Sequence, residues 1–478
     1  MKKLINNMTE YSFGHLSAKF TTSAFTKVDK GLTAVVFASP LSARSPDLCM
    51  LWHNGYREKN KAKLLFNLLL KVFAGFSKGV VKLSLNPKPL KYALYGKISD
   101  SILVVSSTCG SLTSKGAYKT PYVHTDDEDG IFVYGSAKTC GQDERDIKEI
   151  SLIHKVTLAF DLIKSGIYAF VKIEGDFFDK LLLALQWFEW VISLRWLYAF
   201  YLEQTLSEVV EKYDITKIGC IHEMHFYARV VWQVAAKYKA KSYTVQHAAI
   251  TPGKMWYFAY PEEMESGLIL PDVMYIFNKD VAKLLAPFYA NTKFILGCSN
   301  RYSHWKKVTP SGNEKSDYYL FVSALAGFDN RILIKTLRCL VGSTKEPMNV
   351  RLRFHPFAQI GRKEKKWIRA NLKEGLVKVS RGTSLKDDIE GAITVVGMST
   401  TVLEEALLMG RPVVQITDPD FLQYIDVAGI KGAVRKDYRE LMPDDLANNI
   451  GCKVDSDKIR ERLGMEQPLV TYTQLFSS

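Results

Sequence analysis

Between residues 205 and 416, short runs rich in Val, Ile, Tyr and Phe alternate with longer stretches whose apolar residues recur at helical spacing. This alternation constrains the chain more than any other feature, because repeated β-α-β units are satisfied by a mostly parallel sheet covered with helices. Ile218-Gly219-Cys220-Ile221 reads as a buried strand, Phe226 to Tyr238 as a helix and Ser242-Tyr243-Thr244-Val245 as the next strand; Val273–Phe277 and Phe294–Leu296 continue the pattern. The polar stretch Lys306 to Asp317, with Pro310, Gly312 and Asn313, then interrupts it and reads as a linker. Strands over Tyr318–Val322, Val350–Phe354, Leu376–Val379, Ile393–Val396 and Pro412–Ile416 follow, with helices over Arg331–Val341, Glu364–Leu372 and Val402–Met409. Nearer the amino terminus, Leu32–Phe37 and Ile102–Val105 read as strands and Leu64–Val80 as a helix. The expectation is an α/β chain of two Rossmann-like, doubly wound domains facing a cleft, residues 1–305 and 318–478, the first carrying helical insertions.

The chain has 478 residues and a formal net charge of +14, which favours anionic partners such as phosphorylated substrates or an acidic membrane face. No zinc finger, RNA-binding strand signature or basic zipper is present, and Arg362-Lys363-Glu364-Lys365-Lys366 reads as a solvated helix face, so nucleic acid is not an expected partner. Seven scattered cysteines without a Cys-x-x-Cys pair fit a reducing compartment, the cytoplasm. Met1-Lys2-Lys3-Leu4 opens like a signal peptide, but Asn6, Asn7, Thr9 and Glu10 arrive before any apolar core. Two stretches have the length of a membrane span. Leu64–Leu85 is broken by Lys71, Lys78 and Lys82, and Leu181–Leu202 carries Glu189 and Arg195 near its middle. A central charge costs ~2.5–3.5 kcal/mol on insertion scales. Both therefore read as helices packed in the protein or lying on a membrane surface, with core packing favoured for the second.

Four local patterns carry chemistry. In Gly397-Met398-Ser399-Thr400-Thr401-Val402-Leu403-Glu404 a strand ends in Gly and hydroxyls open a helix, an arrangement that serves either phosphate binding or plain N-capping by Ser399 or Thr400. In Arg351-Leu352-Arg353-Phe354-His355-Pro356 the residues Arg353 and His355 share a face at a strand end, where an imidazole can donate to a phosphate oxygen or be merely structural. Asp126-Asp127-Glu128-Asp129-Gly130 crowds four carboxylates, which can raise a pKa towards that of a general base, or form a solvated turn or a divalent-metal loop, though without EF-hand spacing. His222-Glu223-Met224-His225 and Gln246-His247 follow adjacent predicted strands, so Glu223 and His247 can face one crevice; the His-Glu-x-His spacing is not the zinc motif, and no metal is expected.

In their order, Glu128-Asp129-Gly130, His355-Pro356 and Ser399-Thr400 resemble the motifs of bacterial CMP-sugar transferases, the sialyl-, polysialyl- and Kdo transferases of capsule and O-antigen synthesis. Thr244-Val245-Gln246-His247, with Leu270-Pro271-Asp272 and Gly297-Cys298-Ser299-Asn300-Arg301, is similar to a wider group of surface-polysaccharide transferases, though Ala248 stands where that group usually has Gly. The resemblance spans residues 120–420 and implies the two-domain arrangement called GT-B in glycosyltransferases. It implies Asp129 or Glu128 as general base on the acceptor hydroxyl, and His355, with Arg353, at the donor phosphate. Ser399, Thr400 and Thr401 would bind the same phosphate, Glu404 the ribose, and Gln246 and His247 the substrate. In a retaining Kdo-type enzyme Glu223 would be a second candidate nucleophile. The implied partners are a nucleotide-activated sugar, acting as co-substrate with no separate cofactor, and a glycan or lipid-linked acceptor at the cytoplasmic membrane face. A CDP-glycerol-type polyol-phosphate transferase and a non-catalytic polysaccharide- or lipid-binding scaffold are the rival expectations.

Overall fold

The computed structural model describes residues 9–28, 32–42, 61–84, 91–95, 102–106, 111–112, 118–119, 131–135, 144–146, 150–221, 226–298, 302, 305, 317–325, 327–344, 348–356, 358–418 and 424–470. The chain divides into two compact units.

The first unit is built on an eight-stranded sheet in the order β10-β9-β8-β7-β2-β5-β1-β6. Its strands are β1 (Lys91–Tyr95), β2 (Ile102–Ser106), β5 (Ile131–Gly135), β6 (Glu144–Asp146), β7 (Lys217–Ile221), β8 (Lys241–Val245), β9 (Val273–Ile276) and β10 (Lys293–Leu296); β3 (Ser111–Leu112) and β4 (Tyr118–Lys119) form a separate pair. The run from β10 to β5 is parallel, and β1 and β6 close one edge antiparallel. Its helices are α1 (Thr9–Phe25), α2 (Thr33–Phe37), α3 (Lys61–Ser84), α4 (Leu152–Lys172), α5 (Phe177–Ile192), α6 (Trp196–Lys212), α7 (Phe226–Lys237), α8 (Pro261–Glu265) and α9 (Lys279–Leu285).

Leu32–Phe37, expected as a strand, is a one-residue 3-10 turn and the short helix α2. The run is buried as expected, but its neighbours are helices α6 and α7, which offer no ladder of backbone partners. The apolar stretch Leu181–Leu202 is two helices rather than one. Leu194 adopts φ 57° between α5 and α6, and Arg195 pairs with Glu189 across the break. Trp187, Trp190 and Trp196 are buried, so this segment is core. Among the described residues no helix is long and apolar enough to cross a membrane.

The second unit carries a six-stranded parallel sheet, β13-β12-β11-β14-β15-β16. Its strands are β11 (Tyr318–Val322), β12 (Val350–Arg353), β13 (Val377–Val379), β14 (Ala392–Gly397), β15 (Val413–Thr417) and β16 (Ala433–Asp437). Its helices are α10 (Gly327–Ser343), α11 (Arg362–Lys373), α12 (Leu385–Glu390), α13 (Val402–Leu408), α14 (Pro443–Ala447) and α15 (Ser456–Arg462). Numbered within the unit, the strand order is 3-2-1-4-5-6, the doubly wound order. Strand β14 is buried along nearly its whole length, as parallel strands covered on both faces are. Gly410 at φ 75° ends α13, and the amides of Gly410 and Arg411 donate to the carbonyls of Leu407 and Ala406. Arg362, Lys363, Lys365 and Lys366 occupy exposed positions of α11.

The units differ from the expected continuous halves in two places. Ala248–Lys254 belongs to the second unit, where the Thr251 hydroxyl donates to the Tyr424 carbonyl at 3.2 Å. Pro468–Ser478 belongs to the first, because Cys298 bridges Leu469 and its amide donates to the Pro468 carbonyl at 2.9 Å. Of the expected linker, Lys306 to Asp317, all but Asp317 lies outside the described residues.

Two close-packed points can be tested. A Cβ on Gly166 would stand 2.4 Å from Cδ1 of the fully buried Trp187, whose indole N–H donates to the Leu162 carbonyl at 2.7 Å. Gly166→Ala is expected to lower urea stability by ~1–2 kcal/mol, overpacking outweighing the helix propensity gained. In the second unit, Asp329 on α10 is buried, and neither carboxyl oxygen has a hydrogen-bond partner among the described residues. Burial raises its pKa to about 7. The folded state therefore keeps a proton that the unfolded chain releases near pH 4, and stability falls as pH rises from there to about 7. Asp329→Asn should match wild type at pH 5 and exceed it by ~3 kcal/mol at pH 8 in denaturant titrations.

Candidate functional site

The carboxyl ends of β12, β11 and β14 stand level, since Val322 pairs with both Arg353 and Gly397. In a doubly wound sheet, ligands bind outside the carboxyl ends at the point where the winding reverses. Here that point lies between β11 and β14. On its β11 side the chain continues as Ser323-Ala324-Leu325-Ala326-Gly327 into the long helix α10. On its β14 side it continues as Met398-Ser399-Thr400-Thr401 into α13.

Side chains fix both tips. Asn330 accepts from the Ala324 amide at 2.9 Å and donates to the carbonyls of Ala324 and Gln359 at 2.9 and 3.1 Å. Ser323 accepts the His355 amide at 2.7 Å and so ties the β11 tip to the β12 tip. Gln415 on β15 is buried; its amide group donates to the carbonyls of Met398 at 3.3 Å and Ile425 at 2.6 Å. Gly397 has no room for a side chain, because a Cβ would meet Val322 at 2.8 Å and Thr400 at 2.9 Å.

His355 is exposed just beyond the β12 tip. Ser399 and Thr401 are half-buried and Thr400 is buried. The Thr400 hydroxyl accepts the Val402 amide at 3.4 Å in a local turn, while the N-cap position of α13 is held by Thr401 rather than by Ser399 or Thr400 as expected. The strands that lead to His355 and Ser399, expected at one phosphate, are not neighbours: β11 runs between them. At ~4.8 Å per strand the two tips stand about 10 Å apart. The cause is the strand order, which interspersed motifs along a sequence do not reveal.

Arg353 is engaged away from the tips. It pairs with the buried Asp388 of α12 and donates to the Thr383 carbonyl at 3.1 Å. Arg351 pairs with the other Asp388 oxygen at 3.3 Å, and its guanidinium lies 3.9 Å over the Tyr318 ring. Burial pushes the Asp388 carboxyl up, but hydrogen bonds from Arg353 and Thr383 outweigh it and hold the group below the ordinary carboxylate range. Glu404, expected at a ribose, is fully buried.

In the first unit, β7 and β8 are neighbours ending level at Ile221 and Val245, as expected. Gln246 is buried and its side-chain oxygen accepts the Phe277 amide at 2.9 Å, locking β8 to the end of β9. His247 is buried beside it in sequence. Glu223, Glu128 and Asp129 lie outside the described residues. Among the described residues no group of His, Cys, Asp and Glu is arranged to hold a metal ion. Sequence reasoning missed Ser323, Asn330 and Gln415. A run of small residues between a strand and a Gly-opened helix was the available signal for the first two; for Gln415, inside a strand, there was none.

No protein-family model matches the chain, and no curated protein does. Among solved structures it is similar to S. aureus MnaA with UDP (11% identity, TM-score 0.33, covering 45% of this chain and 61% of that one). It is similar also to a putative UDP-N-acetylglucosamine 2-epimerase from Listeria monocytogenes (14%, TM-score 0.37, 55% and 72%). A third is the pneumococcal O-GlcNAc transferase GtfA in complex with UDP and GlcNAc (12%, TM-score 0.34, 55% and 52%). The chain spans 61% of the length of the first of these. The α/β class itself rests on the topology of the two sheets.

Proposed function

We propose that this chain is a glycosyltransferase of GT-B type that moves a sugar, Kdo or sialic acid, from a CMP donor onto a growing surface polysaccharide at the cytoplasmic membrane face. The observation that carries the reading is the level row of three strand ends in the second unit. It sets Ser323 and the start of α10 on one side of the switch point, Ser399 to Thr401 on the other, and His355 on the next tip. Such a row offers hydroxyls, backbone donors and an imidazole to one anionic group.

In this reading the donor phosphate sits over the β11 and β14 tips. Ser399, Thr400 and Thr401 donate to it, and His355 approaches from the β12 side. The acceptor hydroxyl oxygen bonds to the anomeric carbon while the bond from that carbon to the phosphate oxygen breaks. The acceptor proton passes to Asp129 or Glu128, and CMP departs with its new charge facing His355. Were the configuration retained, Glu223 would be a candidate nucleophile. Arg353, held by Asp388, acts by positioning the strand that ends at His355. Gln246 and His247 belong to the acceptor side, Gln246 by holding the ends of β8 and β9 in place.

Thermal unfolding with CMP, CDP, UDP and GDP tests the reading. A ligand at 100 times its Kd stabilises by ~2.7 kcal/mol, and CMP or its sugar conjugates should do so. His355→Ala should lower transfer at least ~100-fold while circular dichroism stays unchanged. Full transfer activity in that variant, or no response to any nucleotide, would overturn the proposal. Release of CMP with a phosphodiester product would point to polyol-phosphate transfer instead.

A further inference from the structure

Helix α3 carries large apolar side chains on its outward face as well as on its inward one. A surface helix of a water-soluble protein keeps its apolar residues on the inward face. Here the inward face is formed by Leu68, which is fully buried, and by two glycines: a Cβ on Gly75 would stand 3.5 Å from Ser193, and one on Gly79 would meet the Ile192 carbonyl at the end of α5. Phe66, Leu69, Leu70, Phe73 and Phe76 instead face outward and are all exposed, Phe73 by 69%. At 3.6 residues per turn, Phe66 and Phe73 lie about half a turn round the helix from Gly75.

Helix α4 repeats the arrangement against the same helix. Its Gly166 is seated on Trp187 of α5. Ile153, Phe160, Ile167 and Val171 recur at intervals of seven, seven and four, which keeps them in one narrow stripe roughly 100–140° round the helix from Gly166. All four are exposed, Ile153 by 80% and Val171 by 73%. Two helices seated on one neighbour thus turn continuous apolar stripes away from the body of the unit, where isolated exposed apolar residues would need no explanation.

Charge identifies the occupant. Helix α3 contains five lysines and no acid, and α4 exposes Lys164 and Lys172 beside a single half-buried aspartate, its third lysine, Lys155, being buried. Lys164 lays its ammonium 4.4 Å over the Phe160 ring within the stripe, and Lys180 sits 5.3 Å over Phe170. Apolar side chains with lysines whose heads can rise past them suit an interface of acyl chains beneath anionic headgroups. We propose that the outward faces of α3 and α4 dock this chain onto a bilayer rich in anionic phospholipid, as a helical surface anchor that enters one leaflet without spanning it. The inference does not depend on nucleotide binding.

The test uses the full chain, without nucleotide, sedimented with vesicles of phosphatidylcholine alone or mixed with phosphatidylglycerol. Binding should need the anionic lipid and weaken with salt. Phe73→Ser combined with Ile153→Ser should lower it at least about tenfold, leaving the thermal melt and the mass by light scattering unchanged. Three results would overturn the proposal: no binding to anionic vesicles, undiminished binding by the double variant, or a wild-type dimer in solution that the double variant dissolves. None of them bears on the nucleotide panel, so the two readings fail separately.

Discussion

The level pairing of Arg353, Val322 and Gly397 is the constraint on which the second unit depends. Because β12, β11 and β14 end in one row, the three loops that follow begin at the same height. Gly397 makes this possible, since any side chain there would collide with Val322 and push the β14 tip out of line. Ser323 then fastens the β12 tip, Asn330 the β11 tip and Gln415 the β14 tip. The polar groups that fix the row are mostly buried and spent on backbone partners, while His355 is exposed and Ser399 and Thr401 are half-buried.

Much of this architecture was legible in the sequence, for a physical reason. Parallel strands buried on both faces are short β-branched runs, and the helices between them carry a different period, so β7-α7-β8 and the six strands from β11 on, except β16, could be read directly. Leu32–Phe37 could not be, because a buried five-residue helix and a buried strand present the same apolar run. At the site, residue types and their positions at strand ends were legible, as His355 and Ser399 show. Which ends are adjacent was not, because lateral order is a property of long-range pairing and leaves no local trace. The engagement of Arg353 with Asp388, 35 residues away, was hidden for the same reason.

Two buried acids of the second unit are put to opposite uses. Asp388 is buried but compensated, and its two arginines anchor α12 to β12. Asp329 is buried with no hydrogen-bond partner for its carboxyl oxygens among the described residues, and burial raises its pKa to about 7. In the first unit, Glu203 is likewise lifted to about 7 by burial, with Lys237 pulling the other way. A protein carrying such acids is favoured by mildly acidic conditions at these points even as its ion pairs favour neutral ones.

The backbone passes from one unit to the other after His247, Lys254, Arg301 and Gln467. Neither unit is therefore a single length of chain. During synthesis the first sheet lacks its Leu469 bridge until the whole of the second unit has left the ribosome, and the second lacks Ala248–Lys254 in any fragment begun at its own first strand. The two units are thus interlaced in one polypeptide, so gene fusion or shuffling could not exchange either unit by a single crossover.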